Sequence, residues 1–263
     1  SDFTSEYGDN GGNGLVSVQL DFEGDAAHAA GAPWRGKSAL DAAELFNIGM
    51  NFLREHIRPS VRIHYVYKQA GNVPNVIPDE ASVWIWIRDS KRSGVAAVEE
   101  RMKEIAEGAA KMTRTEASFF MENGLYEILV NESGAKALHK NMELVGPIKY
   151  TEEEIAFANK IMKEYGAEPL GINGAIKPME ATRPDPDGGS TDVGDVSYIV
   201  PEITLNAATA PFKSPWHSWV VVACGGMSIG HKGMLFAAKS LGTTMVDLFE
   251  NESLRKEMRA EFE

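Results

Sequence analysis

A single histidine, His28, lies among small residues in the segment GDAAHAAGAP. Alanine and glycine neighbours leave an imidazole uncovered, so that it can donate a hydrogen bond to a ligand or exchange a proton with one. A histidine that merely lies on a surface loop would show the same pattern. The residue types therefore mark His28 as a candidate for ligand contact and leave the loop interpretation open.

The segment NVIP at residues 75–78 places Asn75 thirteen residues before Arg88, which ends a predicted strand. A guanidinium can hold a carboxylate through two parallel hydrogen bonds, so Arg88 is a candidate for binding an acidic ligand. Two plainer interpretations stay open. Asn75 can simply hold a turn, and Arg88 beside Asp89 can be a solvated charge.

A third group of residues lies late in the chain, in GGSTD at residues 188–192 and in WHS at residues 216–218. His217, in the second segment, is a third candidate for contact with a ligand. His217 between two tryptophans also suits a core histidine bonded to backbone, and Asp192 after two glycines suits a helix N-cap. The other histidines are expected at structural positions on helix faces or element ends: His56, His64, His139 and His231.

The elements that must position these residues follow the order β-α-β-β-α-β in the first half of the chain. Apolar and polar residues alternate in the strand segments, and apolar residues recur at helical spacing in the helix segments. This order is typical of a ferredoxin-like unit, an antiparallel sheet with both helices on one face. We predict strands at 15–23, 61–68, 82–88 and 114–121, and helices at 38–56 and 93–112.

The second half of the chain has more helices and fewer strands, which indicates part of an α/β layer whose other strands lie outside this chain. The fold class is therefore predicted as α/β, with an α+β first half. We predict helices at 131–145, 151–166, 226–249 and 251–262, a glycine- and proline-rich loop at 168–190, and a short buried strand at 203–207.

Composition excludes several classes of function. The net charge of −12 disfavours binding to nucleic acids and to anionic membranes. No apolar run approaches the roughly 20 residues that span a bilayer. The single cysteine excludes an internal disulfide and fits a reducing, cytoplasmic location. Residues 1–12 are polar and glycine-rich, which predicts a linker and a chain that is a piece of a longer protein.

Taken in order, these motifs resemble the M20 family of metallopeptidases and amidohydrolases. They run from GDAAHAAGAP through NVPNVIP, Arg88 and GGSTDVGDVSYIVP to a late His-Ser pair before a long helix, and they cover nearly the whole chain. The segments AAHAAGAPWRGKSALDAAELFNIGMNFLREH, IAEGAAKMT and SIGHKGM are most similar to the aminobenzoyl-glutamate hydrolase branch of that family.

The resemblance implies a zinc-peptidase-like catalytic domain that is interrupted by a smaller lid, through which two copies form a homodimer. Residues 13–122 would be the lid, and residues 123–263 the returning part of the catalytic domain. The family hydrolyses amide bonds with two divalent ions, Zn or Mn, and a glutamate base. Its His-x-Asp and Glu-Glu motifs precede the lid and are missing from this sequence. The chain is therefore expected to lack most metal ligands and to be inactive alone.

The same resemblance implies a role for each candidate residue. His28 would reach an active site, commonly that of the partner subunit, and stabilise the oxyanion. Asn75 and Arg88 would bind the carboxylate of an N-acyl amino acid or aminobenzoyl-glutamate-like substrate, and His217 would bind metal. The alternative is a non-catalytic module for dimerisation or for binding a small ligand, or a subunit that assists a separate catalytic chain.

Overall fold

The computed structural model describes residues 6–7, 12–179 and 189–263. The predicted linker at 1–12 lies mostly outside these residues. The chain forms two compact units. The sheet unit comprises Gly11–Ile128 and Arg183–Val196, and the helical unit comprises Ser1–Asn10, Leu129–Thr182 and Ser197–Glu263. The predicted α/β fold class is confirmed, because helices accompany an antiparallel sheet.

The elements, in chain order, are β1 (Glu6–Tyr7), β2 (Gly14–Glu23), β3 (Ala27–His28), a 3-10 turn (Pro33–Arg35), α1 (Ala39–Leu53), a second 3-10 turn (Arg54–His56), β4 (Arg62–Gln69), β5 (Val76–Ile77), β6 (Glu80–Asp89), α2 (Arg92–Thr113), β7 (Glu116–Leu125), α3 (Glu132–Val145), α4 (Glu152–Tyr165), α5 (Val193–Ser197), β8 (Leu205–Asn206), α6 (Trp219–Gly225), α7 (Ser228–Glu250) and α8 (Glu252–Phe262).

The sheet unit is built on four strands in the order β4-β6-β2-β7, each antiparallel to its neighbour. Side chains of a strand point alternately to the two faces of a sheet. The alternation in β2 and β6 therefore buries one row of apolar residues under the helices and leaves the other row on the open face. The register fixes the two ends of the sheet: Leu15 pairs with Arg88 at one end, and Glu23 pairs with Glu80 at the other.

Helices α1 and α2 pack against each other and against the same face of the sheet. Helix α1 begins where predicted, because the Ser38 side chain accepts a hydrogen bond from the Asp41 backbone N–H at 3.1 Å. Its buried stripe includes Phe46, whose ring centroid lies 6.2 Å from that of Phe22 on β2. Neither α1 nor α2 covers the opposite face of the sheet, which carries the alternate side chains of β6.

The helical unit contains two apolar clusters. One lies between α3 and α7 and includes Leu138 and Phe236, and the other joins α4 to α6 and the start of α7. Cys224 is buried in the second cluster, and burial raises the pKa of its thiol to about 11. The expected buried strand at 203–207 was wrong in extent and burial. Only Leu205–Asn206 is extended, and it pairs with Glu6–Tyr7. A pair of two-residue strands buries side chains on one side at most, so Asn206 is exposed.

Length and hydropathy together decide whether a helix could cross a membrane. Among the described residues, no single helix is both long and apolar enough to cross a bilayer. Helices α6 and α7 pass that test only as a pair, by length and composition, and they are bent by 70° where they meet.

A largely buried ion pair ties α4 to α7. The Glu154 carboxylate accepts from Lys232 Nζ at 2.6 Å and from the Thr151 backbone N–H at 2.7 Å, which completes a capping box at the start of α4. Burial raises the pKa of Glu154, but hydrogen bonds from Lys232, Ser228 and Thr151 lower it more, to about 2. The Glu154 carboxylate is therefore charged in the folded protein at neutral pH.

We expect this pair to make stability depend on acid pH. Because the folded-state pKa lies below the ordinary value of 4.5, Glu154 contributes about 3 kcal/mol above pH 4.5, and this contribution is lost as the pH falls towards 2. Urea unfolding at pH 7 and pH 3 measures it. Lys232→Met should lower the free energy of unfolding at pH 7 by about 1–2 kcal/mol, because the carboxylate loses its cation but keeps its hydrogen bonds from Ser228 and Thr151. The matched change Lys136→Met, in an exposed pair with Glu132, should cost under about 0.5 kcal/mol.

Candidate functional site

His28 and Asn75 lie beside each other in the sheet unit. Strand β3 pairs antiparallel with β5, with His28 opposite Val76, and the Ala29 backbone N–H donates to the Asn75 carbonyl at 3.0 Å. Both residues are exposed. No described residue forms a hydrogen bond with the Asn75 side chain, so its backbone forms the turn while its amide stays available to a ligand.

The surroundings of His28 fix the position of its proton. Nδ1 accepts hydrogen bonds from the backbone N–H groups of Gly31 at 2.9 Å and Ala30 at 3.2 Å. A backbone N–H can only donate, so Nδ1 must be the unprotonated nitrogen, and the neutral ring carries its proton on Nε2. His28 therefore presents a hydrogen-bond donor at the exposed tip of a ring whose other nitrogen is anchored to the loop.

Close backbone contact explains why a glycine precedes this loop. A Cβ added at Gly24 would lie 2.0 Å from the carbonyl oxygen of Lys37, whose backbone pairs with that of Asp25. Position 24 therefore requires glycine, because any side chain there would collide with the backbone of Lys37.

We expect Gly24→Ala to destabilise the chain by about 2 kcal/mol, because a backbone atom cannot move aside as a flexible side chain would. The matched control is Gly108→Ala in α2, where an added Cβ would have no neighbour within 4 Å. That change should stabilise by about 0.5–1 kcal/mol through helix propensity. The midpoints of urea unfolding, compared at an unchanged m-value, distinguish the two variants. Equal effects of both changes would contradict the close approach at Gly24.

Arg88 lies far from His28 and Asn75, although the sequence groups it with Asn75. It sits at the Leu15 end of β6, whereas the β3–β5 pair follows the Glu80 end. Eight residues of extended strand at about 3.3 Å each separate Arg88 from Glu80 by roughly 26 Å. One ligand of amino-acid size cannot touch both Arg88 and His28 of the same chain.

Arg88 lines a groove of about 440 Å³ on the open face of the sheet, together with His64, Trp84 and Trp86. Its guanidinium carbon lies 5.0 Å from the centroid of the Trp86 ring. In the described part of the chain, neither Arg88 Nε nor Trp86 Nε1 has a hydrogen-bond partner, although both atoms are buried. Burial of two donors without an acceptor is unfavourable, which makes this part of the sheet unusual.

Two other charged residues on this face have side-chain partners. Lys68 Nζ contacts Glu122 at 2.7 Å, and Asp21 accepts hydrogen bonds from Gln19 and Ser82. Arg88, in contrast, has no ion-pair partner among the residues that the structure describes. The Arg88 side chain is half-buried, so it is not the fully solvated charge of the plainer interpretation.

His217 lies in an exposed turn just before α6. Its φ of +58° is left-handed, a conformation that costs a non-glycine residue of order 1 kcal/mol and that clusters at functional sites. The turn is held by Ser218 Oγ, which donates to the Pro215 carbonyl at 2.7 Å, and by Ser214 Oγ, which donates to the Pro211 carbonyl at 2.8 Å. The alternative of a buried core histidine does not apply, because the side chain is exposed.

The described residues supply little else that can hold a metal. No group of three or more His, Cys, Asp or Glu side chains lies close enough together for that purpose in residues 12–179 and 189–263. His217 fits a metal by ligand type and accessibility, but it is a single ligand. A two-ion centre therefore requires ligands from outside these residues.

Asp192 does not cap a helix through its side chain. Its Oδ1 accepts from Thr191 Oγ1 at 3.3 Å, and Thr191 Oγ1 instead accepts from the Val193 backbone N–H at 3.4 Å. Gly188 of the GGSTD motif lies outside the described residues. Gly189 accepts a hydrogen bond from the Asn13 backbone N–H at 2.9 Å, which ties this motif to the start of β2.

Comparison with known proteins shows what these features are similar to. Residues 10–113 match the peptidase dimerisation domain. Over 94% of this chain and 57% of the relative, the sequence is 33% identical to one subunit of the p-aminobenzoyl-glutamate hydrolase of Escherichia coli (strain K12). It is 26% identical to the Xaa-Arg dipeptidase of Mus musculus, over 93% of this chain and 50% of that protein.

Residues 10–113 are therefore similar to the M20 dimerisation domain, and the sequence similarity to the hydrolase subunit extends over nearly the whole chain. Solved structures share the fold. An aminobenzoyl-glutamate utilization protein from Klebsiella pneumoniae aligns with a TM-score of 0.55 and 19% identity, over 93% of this chain and 51% of that one. A hydantoinase/carbamoylase family amidase from Burkholderia ambifaria aligns with a TM-score of 0.53 and 11% identity, over 89% and 48%. These identities show the fold alone.

This chain spans about half the length of the curated relatives it matches. The activity of the whole protein is therefore a separate question.

Two features were not predicted from the sequence. They are the indole rings beside Arg88 and the close packing at Gly230 and Gly233 in the segment SIGHKGM. The two-residue period of β6 places Trp84, Trp86 and Arg88 on one face, so alternation could have found that group. The need for the two glycines is visible only in the packing of the folded chain. A Cβ at Gly233 would lie 2.5 Å from the Ala208 carbonyl oxygen, and one at Gly230 would lie 2.4 Å from the Gly225 carbonyl oxygen.

Proposed function

We propose that this chain is the C-terminal part of an M20 amidohydrolase that cleaves the amide bond of an N-acyl amino acid, in the class of aminobenzoyl-glutamate conjugates. The match of residues 10–113 to the peptidase dimerisation domain and the 33% identity to a p-aminobenzoyl-glutamate hydrolase subunit support this class of reaction. The observation that carries the proposal is the anchored tautomer of His28, which directs an Nε2–H donor outwards from a loop of small residues.

His28 acts as the oxyanion donor in this proposal. When water adds to an amide, negative charge develops on the carbonyl oxygen, and a donor already aimed at that oxygen stabilises the transition state. The two backbone N–H groups on Nδ1 hold the ring in place, so no reorganisation is needed during the reaction. Loss of one such donor typically costs about 3–4 kcal/mol of barrier.

Asn75 and Arg88 bind carboxylate groups in this proposal, but at two different active sites. Because roughly 26 Å of strand separates Arg88 from the end of the sheet near His28, one subunit cannot bring both to a single substrate. A homodimer resolves this if His28 and Asn75 of one copy enter the active site of the other. Strand β4 is an edge of the sheet and is available for pairing across a two-fold axis.

The proposal also includes two divalent ions, Zn or Mn, at each active site, with His217 as one ligand. When bound, such ions polarise the amide carbonyl and activate the attacking water. The remaining ligands and the glutamate base would come from residues outside this chain, so we propose that the 263 residues alone are inactive. The exposed, left-handed turn at His217 supports its availability as a ligand.

A second candidate is a non-catalytic module, either for dimerisation and ligand binding or as a subunit that assists a separate catalytic chain. Two observations favour it: the family model covers only the dimerisation domain, and the described residues contain no metal-ligating cluster. The groove at Arg88 would then bind a carboxylate without chemistry.

One assay separates the two candidates. We expect the complete gene product, including whatever precedes Ser1, to release glutamate from p-aminobenzoyl-glutamate, to lose activity on chelation and to regain it with Zn²⁺ or Mn²⁺. The 263-residue chain is the control and should show no turnover. A complete product that binds the conjugate but releases no amino acid from it or other N-acyl amino acids, with either metal added, would support the module instead.

A further inference from the structure

The short strand pair β3–β5, which carries His28, has one covered face and one open face. Residues directly opposite each other in an antiparallel pair place their side chains on the same face. Ala27 and Ile77 share the covered face, where Gly36 packs so closely that an added Cβ would lie 2.6 Å from Ile77 Cδ1. His28 and Val76 share the open face, and both residues are exposed.

Val76 therefore lies beside the imidazole that carries the Nε2–H donor. The Cβ atoms of directly opposite residues are about 5 Å apart, so a group bonded to a carbonyl that accepts from His28 can also contact Val76. Val76 is 41% exposed, which leaves its methyl groups accessible to such a group. The open face thus places an apolar surface next to a hydrogen-bond donor.

A tryptophan on the loop after His28 extends this apolar surface. Trp34 is 74% exposed and lies in a 3-10 turn, in which the Arg35 N–H donates to the Ala32 carbonyl at 3.1 Å. The Ala32 N–H in turn donates to the His28 carbonyl at 3.0 Å. Because two residues span at most about 7 Å, the Trp34 backbone stays close to His28, and its indole is accessible to a substrate held there.

The polar and apolar residues around His28 suit the two parts of an amide substrate. In the function proposed above, the Asn75 amide binds the carboxylate of the amino acid. Val76 and Trp34 carry no charge and offer mainly apolar contact, which suits the acyl group on the other side of the amide bond. An indole packs favourably against another aromatic ring, in an offset or edge-to-face arrangement.

We propose that Trp34 and Val76 bind the acyl group of the substrate and select an aromatic acyl group over a small aliphatic one. This inference rests on the proposed hydrolase function, because the acyl group is bonded to the carbonyl that accepts from His28. If His28 enters the active site of the partner subunit, Trp34 and Val76 enter with it, since all three belong to the β3–β5 pair and the loop after β3.

Kinetics of the complete gene product with two substrates test this selection. The substrates are p-aminobenzoyl-glutamate and N-acetyl-L-glutamate, which share the amino acid and differ in the acyl group. Trp34→Ala should lower kcat/KM for the aromatic substrate at least about tenfold, mainly through a higher KM, because the ring loses its aromatic contact. The value for N-acetyl-L-glutamate should change less than about twofold. If its turnover is too slow to measure, its inhibition constant replaces kcat/KM.

Three further variants sharpen the comparison. Trp34→Phe keeps an aromatic ring and should restore most of the preference for the aromatic substrate. Val76→Ser should lower that preference at least about threefold, because it removes apolar contact. The matched change Val246→Ser, at an exposed valine of α7, should leave both substrates unaffected. Trp34 and Val76 are exposed, so their replacement opens no cavity and should leave the free energy of unfolding nearly unchanged.

The outcomes separate this inference from the function on which it rests. Equal losses with both substrates in Trp34→Ala and Val76→Ser, or no loss with either, would overturn the assignment of the acyl group and leave the hydrolase function in place. No release of glutamate from either substrate by the unsubstituted product would refute the proposed function, and this inference with it.

Discussion

Replacing His217 by alanine in the complete enzyme is expected to lower kcat/KM by about 10³-fold or more, because loss of a metal ligand removes several kcal/mol of charge stabilisation. The side chain is exposed in its turn, so the change creates no cavity and should leave the fold and Tm nearly unchanged. Steady-state kinetics with p-aminobenzoyl-glutamate, together with metal analysis of the purified protein, measures the effect.

His231→Ala is the matched control for this prediction. His231 is also an exposed histidine of the helical unit and lies on α7, where its backbone N–H is used within the helix cap. We expect its substitution to change kcat/KM less than about twofold, as for an ordinary surface position. Full turnover and full metal content in the His217 variant would rule out the role proposed for that residue.

Replacing His28 by asparagine is expected to lower kcat by about 10²–10³-fold while KM changes only a few-fold. Asparagine places a carbonyl oxygen where the imidazole has Nδ1, so it can still accept from the Ala30 and Gly31 N–H groups and hold the loop. It has no donor at the position of Nε2. The substitution thus separates the structural use of the ring from its proposed catalytic use.

His28→Ala completes that comparison, because it removes both the anchor and the donor. We expect a loss of kcat similar to that of His28→Asn, with a larger rise in KM from a less ordered loop. Activity in His28→Asn close to that of the unsubstituted enzyme would show that the ring serves only to shape the loop, and would contradict the oxyanion role.

Much of the fold followed from periodicity. The alternation in β2 and β6 and the helical spacing in α1 and α2 reflect burial on one face, which is a local property of the sequence. Ser38 marked the start of α1 because an N-cap hydroxyl acts on the residue three positions later. The prediction of a buried strand at 203–207 was wrong, because an apolar run does not show how many strands will pair with it.

The candidate site was harder to predict, because it depends on distances through space. Asn75 and Arg88 are thirteen residues apart in sequence, yet an extended strand carries Arg88 to the far end of the sheet. The proton on His28 Nε2 is set by two backbone N–H groups whose direction no residue type encodes.

The most direct test of the proposed composite site is complementation between two inactive variants of the complete enzyme. Chains carrying His28→Asn and His217→Ala are co-expressed with different tags, and the mixed dimer is purified and assayed. If His28 acts on the partner's active site, one site of the mixed dimer has both residues intact, and the dimer should show about half of the unsubstituted activity. A mixed dimer no more active than either parental variant would contradict the account.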